Sequence, residues 1–257
     1  AYAERLDGDK AANMEEAMAC YFRALEVRTQ DVVPLPWAVT QSCMGAAYLQ
    51  RLGGDKEANF EKAVACYWRS LDVWTRETMP AKWASTQLKL ASMHERMGGD
   101  RAAKQENWED MMACYLRALG VWTREAAPHD WAKVQDRIGT SWAERLDGDK
   151  AANLEDALTC YRRALEVRTR LTAPRQWART QHNMGVAYAQ RLDGDNANSM
   201  EEALACYRGA LEVFTRQTES HTWAMLQRHM AAVYVLRVDG DKAANMEDAL
   251  ACYRRAL

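Results

Sequence analysis

The chain has 257 residues, 48% of them apolar, and its 34 basic and 36 acidic side chains leave a formal net charge of −2. That is enough apolar material for a buried core, and with both signs of charge interspersed no polyelectrolyte surface is offered to nucleic acid. No apolar run is long enough to cross a bilayer, no basic-then-apolar leader is visible, and abundant Ala, Leu, Glu and Arg beside few Pro and Gly favour helix throughout.

The first feature along the chain is the segment AERLDGDKAAN at 3–13, which returns unchanged at 143–153, with a third close copy beginning at Arg237. A helix is predicted near 13–30, where Met14, Ala17, Met18, Tyr21, Ala24 and Leu25 follow the i, i+3, i+4, i+7 spacing of one helical face. Pro34 then stops that helix, and a second stripe, Trp37, Gln41, Met44, Tyr48 and Leu52, predicts another near 37–52. From there the pattern repeats. Six of the seven cysteines, Cys20, Cys66, Cys114, Cys160, Cys206 and Cys252, precede a tyrosine at spacings of 46, 48, 46, 46 and 46 residues. Helices of the first stripe are expected near 59–77, 107–125, 153–171, 199–217 and 245–257. Those of the Trp stripe are expected near 83–97, 131–146, 177–192 and 223–238. A period in this range means that each unit buries its face against its neighbours, so 1–257 reads as a single repeat array, cut in mid-repeat at both ends.

The recurring loop is predicted to be a joint. Gly8, Gly54, Gly148, Gly194 and Gly240 supply a left-handed residue, and Asn13, Asn59, Asn107, Asn153, Ser199 and Asn245 are expected to cap the next helix. A calcium loop needs oxygen ligands at alternate positions, and Lys10 and the two alanines stand there instead. Cysteines one per period cannot form a local metal site, and the five histidines show no ligand spacing, so neither metal nor cofactor is expected. Unpaired thiols at this density suit a cytoplasmic or other reducing compartment. Hydrolase, phosphate-loop and dinucleotide fingerprints are missing, and no enzyme activity is expected.

Met44-Gly45 with Tyr48, Ile138-Gly139 with Trp142 and Met184-Gly185 with Tyr188 begin each pair. Ala63, Tyr67 and Ser70, Ala157, Tyr161 and Ala164, and Ala203, Tyr207 and Ala210 follow in the partner helix. This pattern resembles tetratricopeptide repeats, in a unit of 46 residues rather than the usual ~34. The P-x-x-W-A-x-T-Q and A-C-Y-x-R-A-L-E-V phrases resemble the long arrays of bacterial proteins that also carry a caspase-like CHAT domain and, more distantly, kinesin light chain. The resemblance implies an all-α, right-handed solenoid of antiparallel helix pairs. Its first helices, those of the Trp stripe, would line a concave groove for a peptide or partner protein.

Comparison of the repeats with one another shows where that groove could differ. The stripes barely change, but the opposite face of the first helices does. It carries Ser42, then Leu88 and Lys89, then Lys133, Asp136 and Arg137, then Arg179, His182 and Asn183, then Arg228 and His229. Five cations against Asp136 predict an acidic peptide or protein ligand. A second surface is predicted on the outer helices, where Phe22, Trp68 and Leu116 give way to Arg162, Arg208 and Arg254 at one repeat position. The expected function is a protein-interaction scaffold. The alternatives are a regulatory region beside a CHAT protease-like domain and a structural subunit of a large assembly that uses the outer patch.

Overall fold

The computed structural model describes residues 10–96, 101–191, 196–237 and 241–256, the side chains of 10, 101–104, 196 and 197 apart. Among the described residues there are eleven helices and no strand: α1 Lys10–Val27, α2 Pro34–Gln50, α3 Lys56–Leu71, α4 Pro80–His94, α5 Arg101–Leu119, α6 Pro128–Ala143, α7 Lys150–Leu165, α8 Pro174–Gln190, α9 Asn196–Leu211, α10 Ser220–Leu236 and α11 Lys242–Ala256. Predicted loop glycines at Gly8, Gly194 and Gly240, and predicted helix ends at 97, 192, 238 and 257, lie outside the described residues. The fold is all-α. Each first helix (α2, α4, α6, α8, α10) packs most closely on the second helix that follows it, as short connections between antiparallel neighbours require. The chain falls into two compact units, Ala1–Trp122 and Thr123–Leu257.

Both units bury most of the predicted stripes, but Leu52, expected to close the first Trp stripe, lies past the end of α2 and is exposed, because the helix stops at Gln50. In the first, Met14 and Met18 of α1 pack with Met44, Ala47 and Tyr48 of α2 and with Ala63 and Cys66 of α3. In the second, Leu154 and Leu158 of α7 and Leu204 of α9 are fully buried, each contributing about 1.5–3 kcal/mol. The helix pairs close most tightly over glycine. A Cβ on Gly185 would stand 2.6 Å from the Tyr207 ring and one on Gly139 2.8 Å from Tyr161, so only a bare backbone lets those buried rings lie flat.

The loop is a joint, but it is capped differently from the expectation. Gly54 and Gly148 take φ of 82° and 86°, the left-handed turn that glycine adopts without steric cost. The aspartate after each then caps the helix, Asp55 accepting from the Glu57 amide at 2.8 Å and Asp149 from the Ala151 amide at 2.9 Å. Asp241 does the same for Ala243. A carboxylate at the positive end of the helix is the stronger acceptor, so the helices begin earlier than an asparagine cap would have them. Asn59 and Asn153 lie one turn inside, buried, and donate back to the carbonyls of Gly53 and Asp147, each at 2.9 Å.

Second helices also end earlier than expected, at Leu71, Leu165 and Leu211. A threonine clasp takes over there: Thr75 with Thr78 at 3.0 Å, Thr169 with Thr172 at 2.9 Å and Thr215 with Thr218 at 3.0 Å. Their hydroxyls satisfy the freed backbone groups that a continuing helix would have used. Proline opens α2, α4, α6 and α8 immediately afterwards. Ion pairs recur along the repeats, Arg51 with Glu15 and Arg237 with Glu201 on the loop side, Arg124 with Glu166 and Arg170 with Glu212 on the clasp side. Gly120 replaces the glutamate in one copy, and Arg76 there donates to its carbonyl at 2.8 Å.

Candidate functional site

The variable face of the first helices is partly a seam between successive repeats. In the first unit Lys89 Nζ donates to Ser42 Oγ at 3.0 Å and lies 5.1 Å from the centre of the Tyr67 ring. Burial holds the Lys89 ammonium below its ordinary range. Leu88 beside it is half-buried.

In the second unit the seam is ionic. Asp136, expected on the variable face as its lone acid, has a side chain only 3% exposed. It accepts from Thr180 Oγ1 at 2.8 Å and faces Arg168 Nη1 at 3.2 Å and Arg179 Nη2 at 3.1 Å. Arg168, 5% exposed, stands at the stripe position filled elsewhere by Trp74, Trp122 and Phe214. A buried guanidinium needs a counter-charge and satisfied donors. Asp136 and Thr180 supply both.

One repeat further on, His182 Nε2 lies 3.1 Å from His229 Nδ1, with the rings within 5° of parallel and their centres 5.2 Å apart. The centre separation is close to the most that the N···N distance and two ring radii permit, so the imidazoles meet edge to edge, one donating and one accepting. Burial, reinforced by His229, pushes His182 down to about 4, and burial with Arg228 nearby lowers His229. Tyr207 is tilted against both rings. Lys133 and Arg228 are exposed, while Arg137 and Asn183 are half-buried. Among the described residues no group of three or more His, Cys, Asp and Glu side chains is placed to hold a metal ion.

On the second helices Phe22, Trp68 and Leu116, expected as an outer patch, are 49%, 44% and 60% exposed. At the same position in the second unit, Arg162 and Arg208 donate to the hydroxyls of Tyr188 and Tyr234 at 3.1 and 3.0 Å. All seven cysteines are free, with Cys43 exposed. Burial pushes the Cys160 thiol up to about 11 and that of Cys206 to about 12, which keeps both inert as nucleophiles at neutral pH. No described helix is long and apolar enough to cross a membrane.

Arg168, Thr180, Tyr67 and Tyr207 take part in these clusters although the sequence reading did not single them out as site residues. The predicted residues that meet across the seam stand one residue beyond the repeat, Ser42 with Lys89 and His182 with His229, 47 residues apart. At Arg168 a charge stands at a stripe position that Trp74, Trp122 and Phe214 fill with aromatic rings.

Within each unit successive helices pair and stack, the helical-repeat fold of tetratricopeptide type. Among solved structures, BtubC (BKLC) from P. vanneervenii, a kinesin light chain-like tetratricopeptide protein, matches 95% of this chain and 89% of its own with a TM-score of 0.66 at 20% identity. That likeness shows the fold. No protein-family model matches the sequence, and no curated protein matches it.

Proposed function

We propose that residues 1–257 form one repeat array acting as a non-catalytic protein-interaction scaffold in a reducing, cytoplasmic compartment. A peptide or partner-protein segment binds along the exposed edge of the first helices. The observation that carries this reading is the contrast within each repeat: residues that join the helix pairs recur almost unchanged, while the first-helix face differs every time. The ligand is acidic. Of the five cations on that face, Arg179 spends its charge on Asp136 and Lys89 is sheltered over Tyr67. Lys133 and Arg228, exposed and in no ion pair among the described residues, are left to attract a carboxylate.

The test is an array of acidic and neutral peptides probed with the wild-type chain and with Lys133→Glu/Arg228→Glu, circular dichroism confirming equal helix content. Acidic peptides retained by wild type and lost by the variant support the reading; equal retention by both sinks it. The exposure of Phe22, Trp68 and Leu116 favours a second reading, a structural subunit contacting its assembly through the outer helices. Partners lost with Trp68→Arg/Leu116→Arg, and kept with the first-helix variant, would favour it.

A further inference from the structure

The seam between α8 and α10 joins two side chains that are metal ligands by chemical type. In the first unit Ser42 and Lys89 stand at the repeat positions of His182 and His229. There an ammonium donates to a hydroxyl, and the contact is complete. Between the histidines two ring nitrogens face each other at 3.1 Å, and only one of them carries hydrogen.

The geometry of the pair is that of a chelate before its ion. The rings are within 5° of parallel and meet edge to edge, so the lone-pair directions of His182 Nε2 and His229 Nδ1 lie in one plane. Two imidazole nitrogens held at about 2.0–2.1 Å from one ion stand roughly 2.9 Å apart at a right angle and roughly 3.3 Å apart at the tetrahedral angle. The observed 3.1 Å lies inside that interval, so an in-plane tilt of each ring turns both nitrogens towards a common point. The Tyr207 ring packs against both imidazoles. Both histidines are half-buried, which leaves the pair accessible to an ion. Asn183 is a hydrogen-bond partner of His182 in the sense of a ring N–H donating to the amide oxygen. A neutral imidazole has one such hydrogen, so spending it on Asn183 leaves Nε2 with its lone pair, as an outer partner does for a metal-bound histidine. Burial keeps both rings in the neutral form that ligation needs.

We propose that His182 Nε2 and His229 Nδ1 form a binding site for a divalent transition-metal ion of the zinc and nickel class, which takes the place of the hydrogen between the rings. The hydrogen of His229 moves from Nδ1 to Nε2, both rings stay neutral, and water completes the coordination. Imidazole nitrogen favours such ions over magnesium and calcium, which take oxygen donors. Two protein donors make the ion exchangeable, where a structural ion would have four. Arg228 is the cation beside His229 and opposes the ion, but it is exposed and screened by solvent. The site lies on the first-helix face of the acidic-ligand edge and does not depend on it, because the ion alone is the ligand.

The probe is nickel chloride, titrated calorimetrically near neutral pH into the untagged chain carrying Cys43→Ser, which removes the exposed thiol. We expect one saturable site per chain, weakened at least about tenfold by His182→Asn or by His229→Asn. The double variant His182→Ser/His229→Lys copies the seam of the first unit, so it keeps a packed contact while losing both nitrogens, and it should show no saturable site. Circular dichroism checks that each variant stays helical. Nickel should also raise the urea midpoint of the parent chain and leave that of the double variant unchanged. Absence of a saturable nickel site, a site that persists in the double variant, or one that magnesium chloride fills equally well overturns the proposal. So does a midpoint that nickel lowers, since the ion would then prefer the unfolded chain.

Discussion

The two units build the same repeat with different side chains at the same positions. After its second helices the first unit buries Trp74 and Trp122, where the second unit buries Arg168 and Phe214. On its second helices the first exposes Phe22, Trp68 and Leu116, where the second has Arg162 and Arg208. At the seam between first helices the first has Ser42 with Lys89, and the second has Asp136 with Thr180 and His182 with His229. The backbone accepts either solution provided that each arginine finds an acceptor, as Arg168 does in Asp136 and Arg208 in the Tyr234 hydroxyl. The aromatic solution carries its own cost, because the buried Trp74 Nε1 has no hydrogen-bond partner.

The largest effect is expected from breaking the ionic solution halfway. Asp136→Ala leaves Arg168 buried without its counter-charge and should cost about 3–5 kcal/mol. Asp136→Leu with Arg168→Phe copies Leu88 and Phe214 from other repeats and should recover most of that loss, because replacing both partners by apolar groups is close to neutral. Urea unfolding followed by circular dichroism reads both. A double variant as unstable as the single one would show that the two solutions are not interchangeable.

Glycine sharpens the comparison further. Tyr207 approaches Gly185 more closely than Tyr67 approaches Gly45, whose added Cβ would meet that ring at 3.1 Å. Gly185→Ala should therefore destabilise by about 1–3 kcal/mol, and Gly45→Ala by less, measured as shifts in urea midpoint. Equal shifts would mean that the closer fit in the second unit has no energetic weight.

Much of this fold was legible because its signal is repeated. Periodic Cys-Tyr pairs and two apolar stripes per period signalled the helix pairs, and Gly45, Gly139 and Gly185, which face Tyr67, Tyr161 and Tyr207, stand in the Met/Ile-Gly phrases that open those repeats. Asp55 and Asp149 were less legible as caps, because asparagine and aspartate both accept from helix amides. Only the backbone path through Gly54 and Gly148 places the aspartate at the cap and the asparagine a turn inside. The candidate site was half legible. Lys133 and Arg228 are exposed as their helical phase predicts, but Asp136 is not, since one helix's phase does not show that the next first helix lies against it. Contacts such as Asp136 with Thr180 span 44 residues and belong to the stacking of repeats, not to either helix alone.

The histidine seam separates the units by pH. His182 has a folded value of about 4, below its ordinary 6.5, so between those values the unfolded chain binds the extra proton. The pair's contribution is present above pH 6.5 and is lost as pH falls towards 4. Replacing it with the first unit's pair, His182→Ser/His229→Lys, should flatten the fall in urea midpoint over that window, on the order of 1 kcal/mol at pH 5. The groups facing the pair are Asn183, Arg228 and the Tyr207 ring, none of them a carboxylate. An unchanged slope in the variant would place the acid sensitivity elsewhere.

The smallest effect is expected on the exposed face of the second helices, and it tests the exposed aromatics. Phe22 holds the position of Arg208, and Tyr48 that of Tyr234, so Phe22→Arg offers the Tyr48 hydroxyl the bond that its counterpart already has. Because the position is half-exposed, stability should move by no more than about 0.5 kcal/mol. Binding of a hydrophobic dye should fall, and the converse Arg208→Phe should raise it while releasing the Tyr234 hydroxyl. Stability that drops by several times that amount with Phe22→Arg would mean that the ring packs as core, and the outer positions of the two units would then differ in structure as well as in surface chemistry.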